Sequence, residues 1–321
     1  MKYLPIELHT HTLHSDGSFS PNDLVSRVKK VGLSGFSLTD HNTSSGCSET
    51  GTAAQKEGLI FLPGIEWTTF YGHMTVIGGK FDPDYRQINP FTIESRIRLA
   101  KESGDLTFLA HPFRVGTPVC TGCSDQFAIQ DFSSLTGYEI WSGEFPGTSE
   151  SNKNAVKSYF NILEKGYKLA AVYGRDWHRD TKEDAIFAAT YVATEKENTE
   201  GVIQGLKLRN TYVSTGVKAF FFLKSIEGKN YYLGESVPPG KYVLVCEIEK
   251  DKKCYSCYEV IPKTISLVGN SLGQEITSNI SYGGFAKTIE IGEGFLAIKI
   301  SGLINDIFSD ILISSPFFVG Y

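Results

Sequence analysis

The first 195 residues alternate short apolar runs, each about the length of a β-strand, with stretches that carry apolar residues at helical spacing. Pro21–Val31 follows Ser20 as a helix cap and has proline at its first position, and Thr92–Glu102 places apolar residues on one face. This alternation is typical of parallel strands joined by helical crossovers, and it predicts an incomplete or distorted α/β barrel. The predicted strands are Pro5–His9, Gly35–Asp40, Leu59–Glu66, Leu106–His111, Gly137–Trp141, Lys168–Gly174 and Ala188–Ala193.

Beyond residue 215 the pattern changes to β-like runs separated by Gly, Pro, Asn and Ser turns, with no convincing amphipathic helix. The pattern predicts an α/β domain over residues 1–215 and a second, all-β domain over residues 216–321, of sandwich type and without an assigned role. The predicted strands of the second domain are Ala219–Leu223, Tyr242–Ile248, Thr264–Val268, Phe285–Ile291, Gly294–Ile300 and Ile311–Ser314.

Composition narrows the class of protein. The 321 residues are 41% hydrophobic, which supplies a sizeable core, and no apolar run is long enough to cross a membrane. The net charge of -5, with acidic and basic residues interspersed, argues against tight binding of long nucleic acids but permits a small phosphorylated substrate. A polar histidine cluster begins at residue 9 and leaves no room for a signal peptide, so we expect a cytoplasmic protein.

Six cysteines in a chain of this length do not indicate a disulfide scaffold. Four of them form two C-x-x-C pairs, Cys120 with Cys123 and Cys254 with Cys257, about 130 residues apart in different predicted domains. Ordinary free thiols are the favoured interpretation, with a structural zinc or redox role left open.

Polar clusters lie where the predicted strands end. All seven histidines fall within the first 178 residues. Because α/β barrels build their active sites at the carboxyl ends of the strands, we expect these clusters to meet in space. They are His9-Thr10-His11 with Asp16 following, Asp40-His41, Glu66 with His73 seven residues on, Ala110-His111-Pro112, and Asp176-Trp177-His178.

The spacing within the clusters suits metal binding. Two histidines at i and i+2 of an extended segment point to one side, so His9 and His11 can ligate one ion, although two hydrogen-bonded histidines would look the same. Repetition in Asp176-x-His178 favours the metal interpretation. Asp40 is interpreted as a cap, a turn former or a solvated carboxylate, whereas Glu66 closes an apolar run where an unpaired charge would be costly. Imidazole and carboxylate ligands suit zinc, manganese or iron, and magnesium less well.

Together, four motifs resemble those of the PHP (polymerase and histidinol phosphatase) family over roughly residues 1 to 215. They are H-T-H-x4-D-G at His9 to Gly17, T-D-H-N at Thr39 to Asn42, A-H-P at Ala110 to Pro112, and D-x-H at Asp176 to His178. Segments such as Tyr138–Gly143 and Arg209–Val213 are similar to the CehA/McbA-like metallohydrolase branch. The resemblance implies a distorted (β/α)7 barrel of TIM-like type with a di- or trinuclear centre.

The resemblance also implies a distribution of ligands among three ions. His9, His11, Glu66 and Asp176 would hold the first ion. Glu66 would bridge to a second ion held also by His73 and His111, and Asp16, His41 and His178 would hold the third. Arg175 and Trp177 are bulkier than the residues that the family commonly has around this aspartate and histidine.

Such a site implies a metal-dependent hydrolase in which a hydroxide bridging two cations attacks the substrate. We expect a phosphoesterase acting on a small phosphomonoester or a nucleotide. The alternatives are a carboxylic or carbamic ester hydrolase and a non-catalytic, metal-stabilised binding protein. Candidate accessory residues, each also explicable as an ordinary loop, rim or packing residue, are His14 as a general acid, Arg114, Arg175 or Arg179 as an anion contact, and Glu139 and Trp141 as pocket lining.

Overall fold

The computed structural model describes residues 1–80, 84–180 and 185–320. Its helices are α1 (Pro21–Lys30), α2 (Cys47–Lys56), α3 (Ile93–Ser103), α4 (Glu150–Glu164) and α5 (Thr199–Lys207), with a 3-10 turn at Tyr85–Gln87. Its strands up to residue 214 are β1 (Lys2–Glu7), β2 (Gly35–Leu38), β3 (Ile60–Thr68), β4 (His73–Ile77), β5 (Leu106–Leu109), β6 (Gly137–Ser142), β7 (Ala170–Gly174), β8 (Ala189–Thr194) and β9 (Thr211–Ser214). The later strands are β10 (Val217–Ser225), β11 (Asn230–Tyr231), β12 (Ser236–Val237), β13 (Gly240–Lys250), β14 (Val260–Val268), β15 (Ile276–Asn279), β16 (Gly283–Ile291), β17 (Gly294–Ile304), β18 (Ile307–Ser314) and β19 (Phe317–Val319).

Strands β1 to β7 form a curled sheet in chain order, so the fold is mixed α/β. β1, β2 and β3 are parallel, β4 is antiparallel to both of its neighbours, and β5, β6 and β7 are parallel again. Helices follow β1, β2, β4 and β6, whereas β3 turns directly into β4 and the described chain between β5 and β6 has no helix. The regular strand and helix alternation of the predicted (β/α)7 barrel is therefore only partly present.

Local signals in the sequence located the elements well. Ser20 caps α1 through a reciprocal capping box with Asp23, Pro21 occupies the first turn, and Leu24 and Val28 are buried. The predicted strands are confirmed with shifted ends, whereas β4, β9, β11, β12, β15 and β19 were not predicted. Residues such as His9, Asp40 and His111 lie just past the strand ends, where the chain leaves the sheet.

Side chains rather than a backbone ladder complete the outer edge of β7. The Thr190 hydroxyl of β8 accepts from the Tyr173 backbone nitrogen at 2.8 Å and donates to the Tyr173 carbonyl at 3.0 Å. Two residues earlier in β7, the Ala171 nitrogen donates to the Ser315 hydroxyl at 2.8 Å, and the Thr211 hydroxyl donates to the Ala171 carbonyl at 2.9 Å. We call this set of contacts the hydroxyl seam. It satisfies buried backbone groups that no neighbouring strand reaches.

Past the seam, the ends of β1 and β7 meet directly. Trp177 donates its backbone N–H to the His9 carbonyl at 3.1 Å, and His11 donates to the Trp177 carbonyl at 3.0 Å. Buried Glu7 joins the same two segments, because its Oε1 accepts the backbone N–H groups of His9 at 2.9 Å and Arg175 at 2.8 Å. The first and the last of the seven strands are thus fixed relative to each other.

The C-terminal strands continue this architecture. β18 pairs with β9, which extends the large sheet through β17, and β11, β10, β13 and β16 form a separate four-stranded sheet. The two sheets enclose an apolar layer that contains Phe221, Leu244 and Ile298 and is contiguous with Leu24 and Phe36 of the N-terminal part. A domain boundary after residue 215 stays a prediction. Within residues 1–80, 84–180 and 185–320, no helix has the length and apolar character needed to cross a membrane.

The hydroxyl seam predicts a specific effect of Thr190→Val. This variant keeps the shape of the side chain but leaves a buried N–H and a buried carbonyl of Tyr173 without their partner, so we expect unfolding to require about 1–3 kcal/mol less free energy. Denaturant titration of wild type, Thr190→Val and Thr190→Ser measures the effect, since serine retains the hydroxyl. Equal unfolding midpoints for the valine and serine variants would show that the seam contributes nothing.

Candidate metal centre

The predicted ligands are brought together at the carboxyl end of the curled sheet. His9 and His11 follow β1, His41 follows β2 and His111 follows β5, while Asp176 and His178 follow β7. Glu66 and His73 come from the β3–β4 hairpin, where Glu66 pairs with Thr75. Asp16 lies on the loop after β1. The structure thus gathers all nine predicted residues into one network of close contacts.

Glu66 lies at the centre of this network and is fully buried. Its Oε1 lies 3.0 Å from His73 Nδ1 and 3.1 Å from His111 Nε2. Its Oε2 lies 2.8 Å from His41 Nδ1, 3.3 Å from His9 Nε2 and 3.5 Å from His11 Nε2. One carboxylate therefore faces five imidazoles through both of its oxygens.

Two further carboxylates complete the network. Asp176 Oδ1 lies 3.3 Å from His11 Nε2 and 3.4 Å from His9 Nε2. Asp16 Oδ1, on the more exposed side, lies 3.0 Å from His178 Nε2 and 3.4 Å from His41 Nε2. Carboxylate oxygens and imidazole nitrogens thus face one another around the centre.

Three sets of ligand atoms are each close enough to hold one ion, with all atoms of a set within 4.8 Å of one another. The sets are His9, His11, Glu66 and Asp176; His11, Asp16, His41 and His178; and His41, Glu66 and His73. The first set matches the ligands expected for the first ion, and the second adds His11 to those expected for the third. In the last set His41 takes the place expected for His111, which nevertheless contacts Glu66.

Several imidazoles have one nitrogen held by the protein and the other directed inward. His9 Nδ1 lies 3.3 Å from Glu139 Oε1, His73 Nε2 lies 3.1 Å from the Val119 carbonyl, and His178 Nδ1 lies 3.0 Å from the Asp176 carbonyl. An acceptor on the outer nitrogen fixes the tautomer that leaves the inner lone pair free for a cation. This arrangement is typical of histidines that ligate metals.

The inward atoms also test whether cations fit the site. Buried polar atoms normally find a hydrogen-bond partner, and leaving one unpaired costs about 1–3 kcal/mol. Among the described residues, the inward atoms without such a partner are His9 Nε2, both ring nitrogens of His11, His41 Nε2, Glu66 Oε2, Asp176 Oδ1 and His178 Nε2. A cluster of lone-pair donors of this kind fits divalent cations.

The ionisation of these groups in the metal-free protein agrees with a polar, water-poor site. Burial lowers the pKa of His11 to about 4, which keeps its imidazole neutral. Burial alone would raise the pKa of Glu66, but the charges of His9, His73 and His41 outweigh it and hold that pKa well below the usual range. Glu66 therefore carries a negative charge.

Two buried glutamates support the ligands from outside. Glu139 Oε2 accepts the backbone N–H of His111 while its Oε1 faces His9. Gly174 allows this approach, since a Cβ there would lie 1.7 Å from Glu139 Oε1. Burial raises the pKa of Glu7 to about 8. From the sequence, Glu139 was predicted only to line the pocket or to pack at its mouth. Glu7 was not predicted at all, because its importance depends on the meeting of β1 with the segment after β7.

Backbone conformation is unusual at two ligands. His111 has φ +27° and Asp176 has φ +57°, although neither is a glycine. Such conformations cost about 1–3 kcal/mol each and concentrate at functional sites, where the surroundings hold them. The backbone N–H of His111 donates to Glu139, and that of Arg175, next to Asp176, donates to Glu7, which supplies that restraint here.

The remaining candidates divide between site and scaffold. Arg114 lies at the rim, where its Nη1 donates to Ser142 Oγ at 2.7 Å and lies 3.3 Å from Asp176 Oδ2. His14 instead contacts Ser45 at 2.9 Å and lies 3.9 Å from Glu49, and the described contacts link it to none of the predicted ligands. This position favours a role in holding the loop, and its catalytic role stays a prediction.

Arg175 is not a rim residue. It is buried between the rings of Trp177 at 3.7 Å and Phe187 at 3.4 Å, so the interpretation as an anion contact is wrong for its side chain. Trp141 is also buried in the core, whereas Arg179 is exposed.

Asp40 is fully buried, so the interpretation as a solvated carboxylate is wrong. It accepts hydrogen bonds from the Thr12 nitrogen and hydroxyl and from Ser15. Among the described residues, no cysteine belongs to a candidate metal group.

A cleft of about 620 Å³ opens beside the metal ligands, and Asp16, His41, Thr68 and Val119 are among the residues that line it. A larger cleft of about 750 Å³ lies against Lys2 and the following residues at the start of β1. Its lining contains none of the nine predicted ligands. Proximity to the cluster therefore identifies the smaller cleft as the candidate substrate site.

Comparison with known proteins finds a family match for part of the chain. Residues 7–114 match the PHP domain, a segment that contains seven of the nine predicted ligands. The chain is 35% identical over 80 residues to a 3',5'-nucleoside bisphosphate phosphatase of Chromobacterium violaceum, and 35% identical over 78 residues to a 5'-3' exoribonuclease of Haemophilus influenzae. Each match covers 24% of this chain and 28% of the relative.

A solved structure extends the likeness of the fold to nearly the whole chain. The crystal structure of a two-domain protein from Bacteroides vulgatus, described as containing a predicted PHP-like metal-dependent phosphoesterase, superposes with a TM-score of 0.54. The alignment covers 97% of this chain and 95% of that chain at 16% identity, which shows a shared fold. The family match itself covers residues 7–114, and Asp176 and His178 of the candidate cluster lie outside that segment.

Proposed function

We propose that the protein is a metal-dependent phosphoesterase that hydrolyses a small phosphomonoester or a nucleotide. The observation that carries the proposal is the position of Glu66, a fully buried carboxylate that faces five imidazoles beside an open cleft. A purely structural metal site is normally closed by its protein ligands, whereas a catalytic site leaves positions open to substrate. Asp16 and His41 belong both to the ligand network and to the wall of the cleft.

The nine gathered residues would hold two or three divalent cations. His9, His11, Glu66 and Asp176 would hold one cation, and Glu66 would share the second with His73 and His111. Asp16, His41 and His178 would hold the third, in line with the three compact donor sets. Nitrogen and carboxylate donors without thiolate favour zinc, manganese or iron.

The chemistry divides between the cations and the chain. When bound, divalent cations activate water as a nucleophile and neutralise charge on a phosphoryl group. Glu139 orients His9 and the backbone of His111, and Val119 orients His73. Arg114 would contact a non-bridging phosphoryl oxygen, because it is half exposed at the rim and lies 3.3 Å from Asp176.

The names of the two relatives describe phosphate ester hydrolysis by those proteins. The matched segments span 28% of the length of each relative. We extend that chemistry to this chain as a proposal. Hydrolysis of carboxylic or carbamic esters, as expected for the CehA/McbA-like branch, and a non-catalytic binding role remain the alternatives.

Metal-dependent phosphate release tests the proposal directly. We expect protein reconstituted with zinc, manganese or iron to release phosphate from nucleoside 3',5'-bisphosphates or simple phosphomonoesters, and a chelator to abolish the release. The alternative hydrolase function would be supported if protein with verified metal content released no phosphate from any substrate of the panel but cleaved carboxylic or carbamic esters. Silence on both panels would favour the binding role.

Glu66→Gln tests the central ligand. The amide keeps the size of the side chain but loses the charge that balances the cations, so we expect at least one bound ion per chain to be lost and turnover to fall more than about 100-fold, beyond the usual effect of outer-sphere partners. Metal content by elemental analysis and turnover are measured on the same preparation. Glu57→Gln, an exposed pair with Lys29, is the control. Full metal content with undiminished turnover in Glu66→Gln would rule out the assignment.

Arg114→Gln tests the substrate contact. Loss of one charge-assisted hydrogen bond is expected to lower kcat/KM for phosphomonoesters about 10-fold to 100-fold while the metal content stays unchanged. Arg27→Gln, which removes an exposed pair with Asp180, should leave both quantities unchanged. Wild-type kinetics in Arg114→Gln would assign this arginine to positioning of Asp176 alone.

A further inference from the structure

Three aromatic side chains line the cleft beside the metal ligands without being buried. Phe70 is 54% exposed, Tyr71 36% and Tyr85 42%, and all three line the cleft that Asp16 and His41 also line. We call these three residues the aromatic wall. Large aromatic side chains usually bury most of their area, and an exposed group of them marks a binding surface.

Phe70 and Tyr71 are fixed to the metal ligands by a short, well-bonded turn. This turn joins β3, which carries Glu66, to β4, which begins with His73. Thr69 Oγ1 accepts the backbone N–H of Tyr71 at 3.1 Å and donates to the Gly72 carbonyl at 2.9 Å. The Tyr71 carbonyl in turn accepts from Gln126. The rings therefore have a defined distance from the cations' ligands.

Further residues that line the cleft are also aromatic or apolar. Tyr85 starts the 3-10 turn, and Pro118 and Val119 come from the segment that holds His73. The guanidinium of Arg86 is paired with Asp84 through two hydrogen bonds, at 2.7 and 2.9 Å. The charge of Arg86 is therefore balanced by Asp84. The lining of the cleft thus combines two predicted metal ligands, Asp16 and His41, with aromatic rings.

We infer that the aromatic wall binds a planar aromatic group of the substrate, while the phosphoryl group occupies the metal end. The inference rests on the proposed phosphoesterase function and narrows its substrates to phosphomonoesters that carry a nucleobase or another aromatic ring. The volume of about 620 Å³ accommodates a ligand of this size. Base stacking on aromatic side chains is tolerant of the identity of the base, so the wall selects for a ring rather than for one nucleotide.

Substrates with and without a ring test the inference. We expect the metal-loaded protein to hydrolyse adenosine 5'-monophosphate and phenyl phosphate with a KM about tenfold lower than that for ribose 5-phosphate. Phe70→Ala and Tyr85→Ala should raise KM for the ring-bearing substrates about tenfold, with little change in kcat and none for ribose 5-phosphate. A lowered KM for adenosine 5'-monophosphate alone would identify a site for a nucleobase. A lowered KM for both ring-bearing substrates would identify a site for aryl groups in general.

The control is Phe91→Ala, which removes an aromatic ring that is 97% exposed and does not line the cleft. It should behave as wild type. Equal KM values for adenosine 5'-monophosphate and ribose 5-phosphate in wild type would overturn the inference. Equal effects of Phe70→Ala on ring-bearing and ring-free substrates would overturn it as well, because they would indicate a general disturbance of the site.

Binding measured without turnover separates this inference from the proposed function. The fluorescence of 2-aminopurine riboside 5'-monophosphate falls when the base stacks, so wild type should quench it and Phe70→Ala and Tyr85→Ala should not. Quenching without phosphate release from any substrate would support the wall and refute the phosphoesterase. Phosphate release without quenching would refute the wall and leave the phosphoesterase standing.

Discussion

A single buried negative charge organises the site. Glu66 is removed from solvent inside an α/β sheet, and a carboxylate in such surroundings is stable only if positive charge or several hydrogen-bond donors face it. Here the compensation comes from imidazoles at the ends of four other segments, so the positions of those segments are all tied to one side chain. Cations complete this balance better than imidazoles alone, because the inward nitrogens are left without hydrogen-bond partners.

Much of the site could be predicted because residues that can ligate metal follow the predicted strand ends in the sequence. His9, His41 and His111 each follow a β-like run, and parallel strands bring such positions to one edge. The strand positions themselves came from apolar runs and from caps such as Ser20. What the sequence could not show depends on contacts between distant segments.

Glu7 is the clearest example of such a contact. In the sequence it is an ordinary polar residue near the end of a strand, and only the meeting of β1 with the segment after β7 makes it an acceptor for both. The direct β3–β4 hairpin was likewise missed, because His73 appeared as an isolated ligand rather than as the start of a strand. Arg175 appeared to be a rim cation because its two flanking rings include Phe187, twelve residues away.

The hydroxyl seam bears on when the site forms during synthesis. All nine gathered ligands are translated by residue 178, yet β7, which precedes two of them, is held at Ala171 by the hydroxyl of Ser315. β9, which shares that seam through Thr211, pairs with β18. A nascent chain therefore carries every predicted ligand long before the edge of β7 has the last of its partners, Ser315. Completion of this edge therefore depends on a residue that is synthesised more than a hundred positions after the last predicted ligand.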